Sequence, residues 1–306
     1  MSRLRPSRVA VTGPAGFIGS RLCEQLVADG CEVHGLCRSG SASLVAGVTR
    51  WECALDDAGA LARLMKDIRP DTIFHIAGFT SAARDLSAVL PSFQANLVST
   101  VQLLSTASEI GCQRIVLAGS LEEPQTPDSA PSSPYAASKS AATMYARMFW
   151  HLFQTPVTVA RIYMVYGPAQ RDLKKLIPYT ILSLLQERRP QLTSGTRQVD
   201  WVFVDDVVRG LIEMSKAEGV DGAVVDLGTG VAASVREVVT TIAGLMKSEM
   251  TPSFGDVPDR QDEQIRVADV ARTEALLGWK PSTPLHDGLT RTIAYYQSRP
   301  DYWRKS

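Results

Sequence analysis

The stretch "VAVTGPAGFIGSRLCEQLVADG", residues 9–30, decides the fold. A short β-branched run at 9–12 passes through Gly13, Gly16 and Gly19 into a segment of helical period at 20–28. Glycines at such a turn permit a tight bend and a close backbone approach to a pyrophosphate, which the N–H groups and dipole of the following helix favour. Three glycines alone say little. Placed between a strand and a helix they read as a dinucleotide-binding loop, with Phe17 and Ile18 counted among its cofactor-binding residues.

Outward from this loop the alternation repeats. Apolar runs at 32–36, 72–76, 114–117, 157–161 and 224–227 are separated by amphipathic stretches such as 58–67 and 92–110. Strand alternating with helix predicts an α/β fold, a Rossmann-type doubly wound parallel sheet. From Tyr166 onward proline-containing loops break the alternation, which predicts a smaller C-terminal substrate-binding lobe. The expected division is a dinucleotide-binding domain over 1–165 with a return segment at about 198–229, and a substrate lobe over 166–197 and 230–306.

Bulk properties narrow the function. Lys plus Arg (32) balance Asp plus Glu (32), so no broad field favours nucleic acid or an anionic membrane, and an anionic ligand must be held locally. The five cysteines are odd in number and lack a C-x-x-C pair, which predicts reduced, mostly buried thiols. Neither a secretory apolar region nor a run of 18 apolar residues is present, so a cytoplasmic protein without a membrane span is expected. The four histidines lack ligand spacing, no metal is expected, and His75 reads as packed beside its strand. Asp205 and Asp206 read as helix-capping residues.

The second strand ends in "VHGLCRSGS", with Arg38 and Ser39 where an acid would meet the ribose 2′-hydroxyl of NAD(H). A guanidinium beside a hydroxyl suits a phosphate dianion, so NADP(H) is expected over NAD(H).

Chemistry is concentrated in "AGSLEEPQ", residues 118–125, and "YAASK", residues 135–139. Pro134 after a serine predicts a helix start, and i, i+4 spacing puts Tyr135 and Lys139 on one helix face. A nearby cation lowers a phenol's pKa, so Tyr135 can give or take a proton while hydride moves to or from nicotinamide. Ser120, at the C-terminal end of a parallel strand, can hydrogen-bond the same oxygen. Glu122 is a candidate base or hydroxyl-orienting group, and Glu123 reads as a solvated loop carboxylate.

These segments, with "PDTIFHIAG", "FQANLVSTVQLL", "RIYMVYGP", "DWVFVDDVV" and "LLGWKPSTPLHDGL", occur in the order seen in extended short-chain dehydrogenase/reductases of the nucleotide-sugar epimerase and dehydratase group, which the chain resembles over nearly its whole length. The resemblance implies a Ser120–Tyr135–Lys139 triad, with Lys139 also holding the nicotinamide ribose and Ala77 among the cofactor contacts. It also implies a homodimer through the helices beginning near Ser92 and Pro134, where Leu103, Leu104, Met144 and Met148 are expected on the exposed sides.

Departures from the family pattern are informative. In members that eliminate water, an acid and a base often follow the triad Ser/Thr; here they are Leu121 and Glu122, an arrangement more similar to the 4-keto-sugar reductases. Ala54 replaces an adenine-binding Asp, for which Asp56 or Asp57 could substitute, though helix capping is their blander role; Met164 replaces a substrate-facing Asn. Val199-Asp200-Trp201 replaces an Arg-Asp-Phe triplet, which leaves Arg197 and Arg260 as candidates for the substrate diphosphate. The expected activity is NADP(H)-dependent modification of a nucleotide-linked hexose, foremost reduction of an NDP-4-keto-6-deoxy sugar. The alternatives are 4-epimerisation and 4,6-dehydration, and, from a different class, a non-catalytic NADP(H)-binding regulator.

Overall fold

The computed structural model describes residues 8–81, 83–126, 128–259 and 265–303. Among them the chain forms β1 (Arg8–Thr12), α1 (Phe17–Ala28), β2 (Glu32–Cys37), β3 (Val48–Glu52), α2 (Ala58–Ile68), β4 (Thr72–His75), α3 (Val89–Ser92), a π-helical turn (Phe93–Val98) and α4 (Ser99–Ile110). There follow β5 (Arg114–Ser120), α5 (Pro134–Phe153), β6 (Val157–Ile162), β7 (Met164–Tyr166), α6 (Leu176–Leu185), β8 (Gln191–Leu192), β9 (Gln198–Phe203) and α7 (Val204–Lys216). The last elements are β10 (Val224–Leu227), β11 (Ala232–Ser234), α8 (Val235–Leu245), β12 (Ser253–Phe254), α9 (Val270–Leu277) and α10 (Leu285–Gln297). Packing divides the described residues into two units, the first comprising those up to Ile162 with Val208–Leu227 and Ala271–Trp279, the second Tyr163–Val207, Gly228–Val270 and the residues from Lys280.

In the first unit seven strands lie in the order β10-β6-β5-β4-β1-β2-β3. Every neighbouring pair is parallel. Parallel strands are covered on both faces, which is why β5 is buried along its whole length and β1 and β2 nearly so. Helix residues such as Leu61, Met65, Leu103 and Leu104 pack with Ile73, Ile115 and Val159 in one core. The strand order reverses between β1 and β4, and the C-terminal strand ends at that switch point are where such sheets bind ligands.

Two sequence expectations need correction here. Leu103 and Leu104 are 0% and 1% exposed, so they belong to the core and not to a free helix face. Sequence reading also passed over β3, an edge strand whose residues are mostly exposed and so carry no apolar pattern.

The second unit holds a mixed sheet, β11-β9-β7, with β7 parallel and β11 antiparallel to β9, and a β12–β8 pair. Its core joins Tyr166, Ile181, Phe203, Val238, Ile242, Leu289 and Tyr296. Buried Asp200 accepts hydrogen bonds from Thr229 N (2.7 Å), Gly230 N (2.9 Å) and Ala268 N (2.9 Å), tying two loops to β9. Asp205 and Asp206 reach across the unit instead of only starting α7: Asp205 pairs with Arg291 at 2.6 Å, and Asp206 accepts from Ser282 Oγ and Thr283 N. Among the described residues no helix is long and apolar enough to cross a membrane.

Candidate active site

At Gly13 and Gly19, on either side of the turn from β1 into α1, the backbone leaves no room for a side chain. Gly13 has φ +69°, and a Cβ on it would lie 3.0 Å from the Ala77 backbone. A Cβ on Gly19 would fall 2.0 Å from Gly13 O, so α1 could not approach the loop with any other residue there. The helix begins at Gly16 with no capping side chain, and Phe17 and Ile18 form its first turn. Uncapped N–H groups at the start of a helix, reached across a glycine-floored loop, fit a dinucleotide's pyrophosphate. Beyond β2, Arg38 and Ser39 are exposed, and Arg38 O accepts from Ser41 N and Oγ to close a turn. Asp57 caps α2 by accepting from Ala60 N at 2.9 Å.

From this loop a hydrogen-bond chain leads to the start of α5. Ala77 N donates to Thr12 Oγ1 (3.1 Å), which lies 2.8 Å from His75 Nδ1, and His75 Nε2 lies 3.1 Å from Thr100 Oγ1. Thr100 gives its own proton to Asn96 O at 2.6 Å, so His75 Nε2 must be the donor and Nδ1 accepts from Thr12. Burial, with the Lys139 charge adding to it, holds His75 down at about 3 and therefore neutral. Asn96, in the π-helical turn, accepts from Phe79 N (2.7 Å) and donates to Phe79 O (3.1 Å) and Ser138 Oγ (2.9 Å). Ser138 Oγ in turn donates to Tyr135 O at 2.8 Å. Sequence reading marked the Asn96 segment and a packed His75, but the pairing of these groups depends on strands and helices far apart in the chain.

Ser133 Oγ accepts from Ala136 N and caps α5, with Pro134 in its first turn, as the sequence predicts. Tyr135 is half-buried and hydrogen-bonded to the Ser120 side chain. Lys139 is buried, and its Nζ donates to Ala118 O at 2.8 Å. The sequence suggests that Lys139 lowers the phenol's pKa. Burial wins instead: it pushes Tyr135 up to about 12 against the Ser120 hydrogen bond, with Glu122 and Glu123 adding to the rise. Lys139 is pushed down to about 8 by burial, with Glu123 opposing. A phenol so placed is protonated at neutral pH and can donate to a carbonyl oxygen.

The loop after Ser120 separates three neighbours. Leu121 is buried and donates from its N–H to Ile162 O. Glu122 is half-buried, with its N–H on Ser120 Oγ at 3.1 Å. Glu123 is not a solvated carboxylate, being 3% exposed with Oε1 accepting from Ser120 N at 2.7 Å. Arg197, in the second unit just ahead of β9, is half-buried, and Arg260 lies outside the described residues. Among the described residues no group of three or more His, Cys, Asp or Glu could hold a metal ion.

Residues 9–228 match the model of the NAD dependent epimerase/dehydratase family. The chain belongs to that family. It is 33% identical to the UDP-glucose 4-epimerase of Mycolicibacterium smegmatis, with 95% of this chain and 99% of the relative covered. It is 28% identical to the dTDP-glucose 4,6-dehydratase of Neisseria meningitidis serogroup B, covering 97% and 95%. Among solved structures it is similar to the Thermus thermophilus UDP-glucose 4-epimerase complexed with NAD, at 25% identity and a TM-score of 0.84, covering 95% and 99%. Family membership makes the protein an enzyme of nucleotide-sugar modification and sets aside the non-catalytic reading. These relatives are epimerases and a dehydratase, not reductases, and they favour the alternatives over net reduction.

Tyr135→Phe tests the expected proton-moving role: it should lower nucleotide-sugar turnover roughly 10²- to 10⁴-fold, measured as steady-state rate on protein whose circular dichroism is unchanged.

Proposed function

We propose that this family member interconverts the C4 epimers of a nucleotide-linked hexose. The observation that carries this reading is Leu121, buried next to Ser120 where elimination would need an acid for the departing hydroxyl. Epimerisation needs only one group that moves a proton at O4. Tyr135 Oη, once its own proton has passed to solvent, takes the 4-hydroxyl proton as a phenolate and later returns it, and Ser120 Oγ holds the same oxygen. When bound, the dinucleotide supplies a nicotinamide ring that accepts the C4 hydride and gives it back to the opposite face. Glu122 orients a sugar hydroxyl. Arg197 and Arg260 hold the diphosphate, since a chain of zero formal net charge needs local cations for it.

UDP-glucose is the first substrate to test, because the Mycolicibacterium relative is named for it. NMR of the product should show the C4 epimer with no net consumption of reduced dinucleotide. Stoichiometric loss of NADPH with a 4-keto sugar would restore the reductase reading. Solvent deuterium at C5 of a 4-keto-6-deoxy product, abolished by Glu122→Gln, would establish elimination instead.

Exposed Arg38 and Ser39, directly after β2 where an acid would meet the ribose 2′-hydroxyl, support NADP(H) as the dinucleotide. NADPH should bind more tightly than NADH in a fluorescence titration, and Arg38→Ala should remove most of the difference; equal affinities in the native protein would refute the preference.

Homodimerisation is supported by an exposed apolar face in the first unit: Leu86 (89% exposed), Leu90 (69%) and Met144 (67%), with half-exposed Phe93 and Tyr145. A groove lined by Val89, Phe93, Leu97, Ala137 and Ala141 runs along it. Patches of this kind mark interfaces, and two-fold pairing is the commonest assembly. Sedimentation at micromolar concentration should give a dimer that Leu90→Lys dissociates, and a monomer mass for the native protein would rule it out.

A further inference from the structure

Glu123 is a buried carboxylate that the proposed reaction does not use. Its place is defined by the turn after β5. Ser120 N donates to Glu123 Oε1 at 2.7 Å, Glu123 N donates to Ser120 O at 3.2 Å, and Glu122 N donates to Ser120 Oγ at 3.1 Å. The amide, carbonyl and hydroxyl of Ser120 are therefore all held by the two glutamates that follow it. The carboxylate also lies over Gly119, where a Cβ would come within 2.8 Å of Oε1, so glycine at 119 is what leaves room for it.

The charges around Glu123 come from several elements. Lys139 and Thr143 face it from α5, and Lys139 Nζ is fixed on Ala118 O, two residues before the amide that Glu123 binds. Arg161 faces it from β6, in register with Gly119, and is itself paired with Asp226 of β10 at 3.0 Å. Tyr135 and Glu122 stand on the Ser120 side. Burial pushes Glu123 above the ordinary carboxylate range, and the Ser120 N–H, Arg161, Thr143 and Lys139 draw it back. A charge taken out of water is tolerated when it is both hydrogen-bonded and paired, and Glu123 meets both conditions.

We propose that Glu123 is a positioning residue: its carboxylate clamps the Ser120 amide so that the hydroxyl meets Tyr135, and it places a carboxylate at the same buried strand end on which the Lys139 ammonium is fixed. The proposal rests on the reading of Ser120, Tyr135 and Lys139 as the reacting centre. The two functions of the side chain are separable. Glutamine keeps an acceptor for the Ser120 N–H and removes the charge, and alanine removes both.

The test is a titration that needs no substrate, joined to kinetics. NMR of protein carrying isotope-labelled lysine ε-carbons, with Lys139 assigned by its absence in Lys139→Arg, should show Lys139 titrating near about 8 in the native protein. The Glu123 anion raises that value, so Glu123→Gln should move the titration to lower pH. With the active nucleotide sugar, Glu123→Ala should lower kcat roughly tenfold to a hundredfold with little change in KM, the range expected for losing a buried hydrogen bond to a reacting group. Glu123→Gln should recover part of that loss and carry a kcat–pH profile shifted in the same direction as the NMR titration. If neither variant moves the Lys139 titration or the pH profile and both only lower thermal stability, Glu123 is structural and the proposal fails. Should Glu123→Ala not fold, the Glu123→Gln titration decides alone. A shifted titration in a protein with no epimerase activity would uphold the role of Glu123 while overturning the proposed reaction.

Discussion

Gly13 and Gly19 leave no room for a side chain where β1 turns into α1, and the site depends on that crowding. With Gly13 pressed against the Ala77 backbone and Gly19 against Gly13 O, the loop, the end of β4 and the first turn of α1 are locked at contact distance. Close-packed backbone has few alternative arrangements, so what is bonded to it is fixed as well. Thr12 at the loop's edge passes this order to His75, His75 to Thr100 and Asn96, and Asn96 through Ser138 to the backbone of Tyr135. The glycine loop and Tyr135 thus share one continuous scaffold.

Desolvation sets the electrostatics of that scaffold. It keeps His75 neutral, which the chain of hydrogen bonds requires, because a doubly protonated ring could not accept from Thr12. It also raises Tyr135 and lowers Lys139, two changes that both favour the uncharged forms. Opposing it are the buried ions: Glu123 acts on Lys139, and Arg161 and Asp226 pair behind it. This balance of burial against charge sets how readily the phenol and the ammonium change protonation state.

Parts of this were open to sequence reading because they rest on local chemistry. The glycines of "TGPAGFIG", the Ser133–Pro134 helix start and the i, i+4 placement of Tyr135 and Lys139 each follow from neighbours within a few residues. Glu123 did not, since a charged residue between a strand and a Pro124 loop has every local mark of solvent exposure. It is buried because Gly119 makes room and Arg161, from another strand, supplies a countercharge. Leu103 and Leu104 were misread for a related reason. A helix uniformly rich in small polar and apolar residues does not reveal which face turns to the sheet.

The sequence by itself determined the parallel sheet, the glycine-bearing turn from β1 into α1 and the placement of Tyr135 and Lys139 one turn apart at the start of α5, because periodicity and glycine placement act at short range. Tertiary structure alone decided the state of those groups. Whether Lys139 meets the phenol or Ala118 O, whether His75 carries its proton on Nε2, and whether Glu123 faces water or Ser120 are settled by segments up to 65 residues apart, such as Thr12 and Ala77. Burial and charge pairing are sums over all neighbours in space, and no window of sequence contains those neighbours.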